Sequence, residues 1–223
     1  MTNLHYEFTG ETTVNRVGLT LHRIRATRDL PHFGVKAGDV GGWIEHTGNL
    51  AGNAWVADEA QVFGNAKVFG EASVSSSANV FGNAEVYGNA QVFGYARVSS
   101  YAKVYGEARV YGGSWVFGSA KVSGYAEVSG GARVYKDARI ESSVDYFQAV
   151  TYTSGRLLLT LTRQKAGKHL ITMGCWEGSI DELDTLISGY RWIETFGDDA
   201  DKARPEMHAL CQMLRARIER WEA

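Results

Sequence analysis

The chain has 223 residues, 44% of them hydrophobic, with 26 glycines, 2 prolines and a formal net charge of −2. That length allows a full core. Abundant glycine without a collagen period or Gly/Ser tracts points to ordered corners rather than disorder, and the near-neutral charge gives no general attraction to long nucleic acid or an anionic membrane. Cys175 and Cys211 have no metal or redox spacing and read as buried free thiols in a reducing compartment. The first thirty residues carry no signal-peptide-like apolar run, and no stretch of about 18 apolar residues spans a membrane, so the expected setting is cytoplasmic.

Residues 1–41 read as an N-terminal β cap. "TTVNRVGLTLHRIRATRDL" alternates Val17, Leu19 and Leu21 against polar residues, as a half-buried strand does. "GVKAGDVGGWIE" then leads into the repeat.

Residues 42–145 repeat with period six. An aliphatic residue stands at 44, 50, 56 and every sixth position to 140, always Val except for Ile44, Leu50 and Ile140. From residue 54 onward Ala stands two before it, with Ser114 the exception. Residues two apart on a strand share a face, so Ala and Val point inward and their neighbours outward. Gly follows two after the aliphatic in ten of the fourteen hexads from Val56 to Val134, where it permits the positive φ of a corner. A helix cannot use period six; a β-solenoid can, with each coil stacked on the last.

Residues 146–223 read as a C-terminal α+β capping and oligomerisation domain. "YFQAVTYTSGRLLLTLTRQKAGKHLITMGCW" gives strands separated by Ser-Gly and Ala-Gly-Lys turns. Ser179 and Glu182 make a capping box for a helix whose Ile180, Leu183, Leu186 and Ile187 share a face. A last helix over about 201–222 would bury Ala203, Met207, Leu210, Cys211, Leu214, Ile218 and Trp221.

The hexads "NAKVFG", "NAEVYG", "NAQVFG" and "EARVYG" resemble the hexapeptide-repeat family of left-handed parallel β-helices. The resemblance implies a mainly β fold with three hexads per triangular coil, hence about five to six coils, and homotrimers as a common assembly. "LHRIRA…GDVGGWIE" and "GCWEGSIDEL" are similar to the flanks of phage and prophage proteins of this type, often labelled acyltransferases from the repeat alone. A phage-encoded protein would work in the bacterial host cytoplasm.

The enzymatic alternative is an acyl-CoA-dependent transferase, which needs a His as general base and takes CoA thioester as cofactor only on that reading. The histidines are His5, His22, His32, His46, His169 and His208; none lies within the coils after His46, so His32 and His46 are the candidates. No three-His zinc set, no Gly-x-Ser-x-Gly and no Walker motif is present, and no metal or other cofactor is expected. Cys175 reads as packing in an apolar run.

The outward positions carry the alternative chemistry. Of the thirteen residues that follow Val from 63 to 135, nine are aromatic. Stacked coils should set Phe63 near Phe81, Tyr87 near Tyr105, and Phe93 near Tyr111. Preceding the aliphatic are seven basic residues from Lys67 to Arg139. Lys103, Lys121 and Arg139 should stack on one face beside Tyr87 and Tyr105, and Arg97, Trp115 and Arg133 on another. Rings beside cations suit a flat base with phosphates, and suit cation–π and Glu–Lys pairing within a trimer equally. The leading expectation is a non-catalytic homotrimer that binds a small anionic, nucleotide-like ligand in inter-subunit clefts through Tyr87, Arg97, Lys103, Tyr105, Arg109, Trp115, Lys121, Arg133 and Arg139. A structural spacer that recruits a protein partner is the third reading. Short stripes and acidic corners argue against long nucleic acid.

Overall fold

The computed structural model describes residues 4–152 and 156–222. They form two compact units divided between Asp137 and Ala138.

The first unit opens with an antiparallel sheet of β1 (Tyr6–Val14), β2 (Thr20–Ala26) and β3 (Val40–Ile44). Leu21 and Ile24 of β2 are fully buried. Val17 is not on a strand: it is 68% exposed, in the turn between β1 and β2. The cause is local. Asn15 Oδ1 accepts from the backbone N–H groups of Val17 and Leu19, both at 3.0 Å, and Gly18 takes φ 85°, so the chain reverses at Asn-Arg-Val-Gly.

Beyond β3 the chain winds through two-residue strands arranged in three parallel walls. β3 pairs in parallel with the first wall, which holds Gln61–Val62, Asn79–Val80, Arg97–Val98, Trp115–Val116 and Arg133–Val134. Lys67–Val68, Glu85–Val86, Lys103–Val104 and Lys121–Val122 make the second wall in this unit. The third holds Trp55–Val56, Ser73–Val74, Gln91–Val92, Arg109–Val110 and Glu127–Val128. Each strand pairs with the one 18 residues on, so three hexads make one turn of a parallel β-solenoid of about five turns. The protein is mainly β, as the repeat predicts.

Hexad Val and Ala residues have no exposed surface anywhere from Ala54 to Val134. Burying one Val stabilises by about 1.5–3 kcal/mol. Ser114, the one polar residue among them, donates its hydroxyl to the Tyr111 carbonyl at 2.7 Å and so leaves no orphaned donor. The corner position two after each Val has φ between 55° and 75° whether it is Gly or not; Asp58, Ser76, Ser100 and Lys136 all adopt it. The left-handed region costs an L-residue roughly 1–2 kcal/mol, so the stack overrides local preference at these four corners. Asp58 offsets part of that cost through its carboxylate, which accepts from Ser76 N–H at 2.9 Å.

The N-terminal strands close the first turn. His5 is 3% exposed and donates Nε2–H to the Ala54 carbonyl at 2.7 Å. Tyr6 Oη–H reaches the Thr47 carbonyl at 3.2 Å. Fully buried Asn49 donates its amide to the carbonyls of Gly64 and Ala66, each at 2.9 Å.

The second unit is a four-stranded antiparallel sheet, Tyr146–Tyr152, Arg156–Arg163, His169–Met173 and Trp176–Gly178, with three helices. These are α1 (Ile180–Ser188), α2 (Arg191–Phe196) and α3 (Arg204–Glu222). Ser179 and Glu182 form the predicted capping box. α3 starts three residues later than the expected 201, because residues Asp198–Ala203 form a 3-10 turn and Pro205 favours the first turn of an α-helix. The core joins Leu159, Leu161, Ile171 and Met173 of the sheet to Leu183, Ile187, Met207 and Leu214 of the helices. Leu186 and Leu210 pack against it half-buried. The Ser-Gly turn expected near residue 154 lies outside the described residues.

One thiol contradicts its expectation. Cys211 is buried, and burial pushes its pKa up to about 11. Cys175 is exposed, because Gly174 (φ 60°) and Cys175 form the tight turn between two strands instead of continuing an apolar run.

Candidate ligand-binding surface

The aromatic ladders form in the expected register. Phe63–Phe81, Tyr87–Tyr105 and Phe93–Tyr111 stack at 5.2, 5.0 and 4.9 Å between ring centroids. Phe69–Tyr87 and Phe117–Tyr135 add further rungs at 4.9 and 4.6 Å. All five pairs are within 6° of parallel. Coil stacking at about 4.8 Å imposes this face-to-face geometry, which free ring pairs disfavour.

The predicted ligand residues are distributed over separate surfaces. Tyr87, Lys103, Tyr105 and Lys121 lie on the second wall, with Lys103 and Lys121 in register. Lys103 Nζ donates to Glu85 at 2.6 Å; that hydrogen bond, ahead of an opposing desolvation effect, raises the lysine pKa. Burial raises the Tyr87 hydroxyl pKa. Arg109 is alone of the set on the third wall, bonded to Glu127 at 3.1 Å and 5.5 Å from the Phe93 ring centroid. Arg97, Trp115 and Arg133 stack in register on the first wall, with Arg133 5.7 Å from Tyr135. Arg139 belongs to the second unit. Much of the basic strip is therefore already engaged by acids and rings of the same chain. Arg97 and Lys121 have no ion-pair partner among the described residues.

Trp115 has a further role. Its Nε1–H donates to Ser99 Oγ at 3.2 Å, so the indole lies over a rung that lacks a ring. Ser99 is accordingly 3% exposed, although it holds an outward position.

The candidate general bases are differently placed. His46 caps the 3-10 turn Thr47–Asn49: its Nδ1 accepts from Gly48 N–H at 3.1 Å, and its Nε2–H donates to the Gly64 carbonyl at 3.1 Å. Both ring nitrogens serve the corner. His32 is exposed, edge-on to Phe33 at 4.9 Å and 3.8 Å from Glu71. In the second unit His169 Nε2 accepts from Ile180 N–H at the start of α1.

Sequence reasoning missed a groove of about 530 Å³ in the first unit, lined by Asn15, Arg16, Gln61, Phe63, Phe81 and Arg97 among others. Hexad periodicity relates each wall residue only to its copies one turn away, and the hairpin tip that borders the groove lies outside the repeat. The available signal was the turn sequence Asn15-Arg-Val-Gly18. At the groove margin Glu59 accepts from Arg23 at 2.8 Å and from Trp43 Nε1 at 3.0 Å. The Arg23 hydrogen bond is the main cause of its lowered carboxyl pKa.

Among the described residues no three His, Cys, Asp or Glu side chains are grouped to hold a metal, and no helix is long and apolar enough to cross a membrane. No protein-family profile matches the sequence, and no curated protein matches it.

Proposed function

We propose that this chain is a non-catalytic homotrimeric binding protein of the hexapeptide-repeat, left-handed β-helix type, from the phage and prophage branch. It captures a small anionic, nucleotide-like ligand in clefts between subunits, in the bacterial host cytoplasm. The observation that carries the reading is the second wall, where the stacked Tyr87–Tyr105 pair runs beside the Lys103–Lys121 column. Rings there can pack against a base while the ammonium groups bind phosphate. Lys121 is available to an anion, and Lys103 becomes so when the ligand displaces Glu85 from a half-exposed pair, which such pairs hold only weakly. The commitment of both His46 nitrogens to a corner supports binding over acyl transfer.

The test is thermal unfolding against a panel of nucleoside mono-, di- and cyclic phosphates, with sedimentation to count subunits. A ligand at one hundred times its Kd raises stability by about 2.7 kcal/mol. Replacing Lys103 and Lys121 together with Glu should remove the shift. No shift with any member of the panel ends the nucleotide reading, and a monomer ends the cleft.

A further inference from the structure

The groove on the first wall combines several features that point to a ligand. Gln61, Asn79 and Arg97 occupy the same outward position on successive turns. Glu59, Ser77 and Tyr95 follow the adjoining corner on the same turns and complete the lining. Phe63 and Phe81 stack 5° from parallel, so each covers the other's face and their ring edges meet a guest. Asn15, Arg16 and Val17 of the hairpin tip border the groove.

Two buried side-chain nitrogens without a hydrogen-bond partner stand out among the described residues, Asn15 Nδ2 and Arg23 Nε. Both are donors and both belong to this neighbourhood. Asn15 is a groove residue whose Oδ1 is fixed by two backbone N–H groups, which sets the amide orientation and leaves Nδ2 with no acceptor. Arg23 holds Glu59 through Nη1 while its own Nε is unmatched. Both nitrogens are closed off from solvent, so neither faces a guest in the groove, and the polar groups open to one are those of Glu59 and Arg97.

The groove is also polarised. Arg97, with no ion-pair partner among the described residues, stands two turns from Glu59, roughly 10 Å along the stack. Glu59 accepts two hydrogen bonds and has lone pairs left for a third donor. The volume suits a small molecule. We infer that this groove is a ligand site complete within one subunit, and that its ligand is a flat ring with a donor edge and one anionic group. The anion binds Arg97, the ring lies across the edges of Phe63 and Phe81, and the donor edge faces Glu59. The site depends neither on trimer formation nor on the second-wall strip.

Calorimetric titration with adenosine 5′-monophosphate, 4-aminobenzoate and inorganic phosphate tests it, in the wild type, Arg97→Glu and Glu59→Gln. Glu59→Gln keeps the side-chain shape and removes the charge that faces the ligand's donor edge. At least one ring-bearing anion should bind, more tightly than phosphate, and each substitution should weaken it by about tenfold or more. Binding of 4-aminobenzoate alone, lost in both variants, upholds the groove and counts against the nucleotide reading. Binding of the nucleotide that survives both variants but is lost in the Lys103→Glu, Lys121→Glu double substitution overturns the groove and leaves the second-wall site standing. Phosphate binding as tightly as the ring anions, or no heat with any of the three, also overturns it.

Discussion

The two units bury their cores in opposite ways. In the solenoid, Val74, Val92 and Val110 stack on one another along the lumen, and each is a copy of its neighbour displaced by one turn. The interior is small, uniform and tolerant of no polar group that cannot bond as Ser114 does. In the second unit Leu159, Leu183, Met207 and Cys211 meet from a strand and two helices, and no residue repeats another. One core is fixed by period, the other by mutual fit. An error in the first is therefore propagated into the coils above and below, while an error in the second leaves a cavity that neighbours partly fill.

This contrast can be broken most decisively in the lumen. Val92→Asp should leave the solenoid unfolded, since an unpaired carboxylate there faces only Val and Ala, whereas Leu183→Ala should cost about 2–5 kcal/mol and leave a folded protein. Circular dichroism with urea unfolding separates the two outcomes; a folded Val92→Asp protein with an intact solenoid would contradict the lumen assignment. A smaller effect is expected at the corners. Gly88 has φ 73°, and an added Cβ would lie 3.0 Å from Gly106 N, so Gly88→Ala should destabilise by about 1–2 kcal/mol. Ser100→Gly, at φ 59°, should stabilise by up to about 1 kcal/mol. Urea midpoints of opposite sign for these two changes would sharpen the comparison, because the second unit has no stacked corners to respond.

The smallest effect is a pH dependence. Burial holds the His5 pKa below its ordinary value of 6.5, with a hydrogen bond to Ala54 opposing and Arg28 adding to the depression. The unfolded chain then takes up this proton more readily than the folded one, so stability is full above about pH 6.5 and falls as pH drops toward the folded-state pKa. His5→Gln should flatten that part of the stability profile between pH 7 and 5, measured as unfolding midpoints.

The inward and outward positions were legible in the sequence from the period of six alone, while the turn of three hexads, and with it the partners in each ring ladder, came from the resemblance of hexads such as NAKVFG to a known repeat family. Even Ser76, Ser100 and Lys136, poor choices for positive φ, keep the corner that the register assigns them. What escaped were contacts made by atoms outside that register. Val17 looked like a strand residue because alternation counts side-chain type, while the Asn15 side chain and Gly18 set a turn there. Cys175 looked buried because the apolar run around it hid a two-residue reversal. Ser99 looked exposed because the reach of the Trp115 indole across a rung has no signature in the hexad. The groove escaped for the same reason, being formed where an aperiodic hairpin tip meets a periodic wall.

Pairing each strand with the one 18 residues later has a consequence for how such a chain can change length. A segment excised from any hexad to its equivalent one turn on joins backbones that already share direction, dihedral angles and neighbours. The tube is in that sense a ruler graduated in steps of about 4.8 Å, and its extent can be shortened or lengthened by whole graduations without a new corner having to be invented.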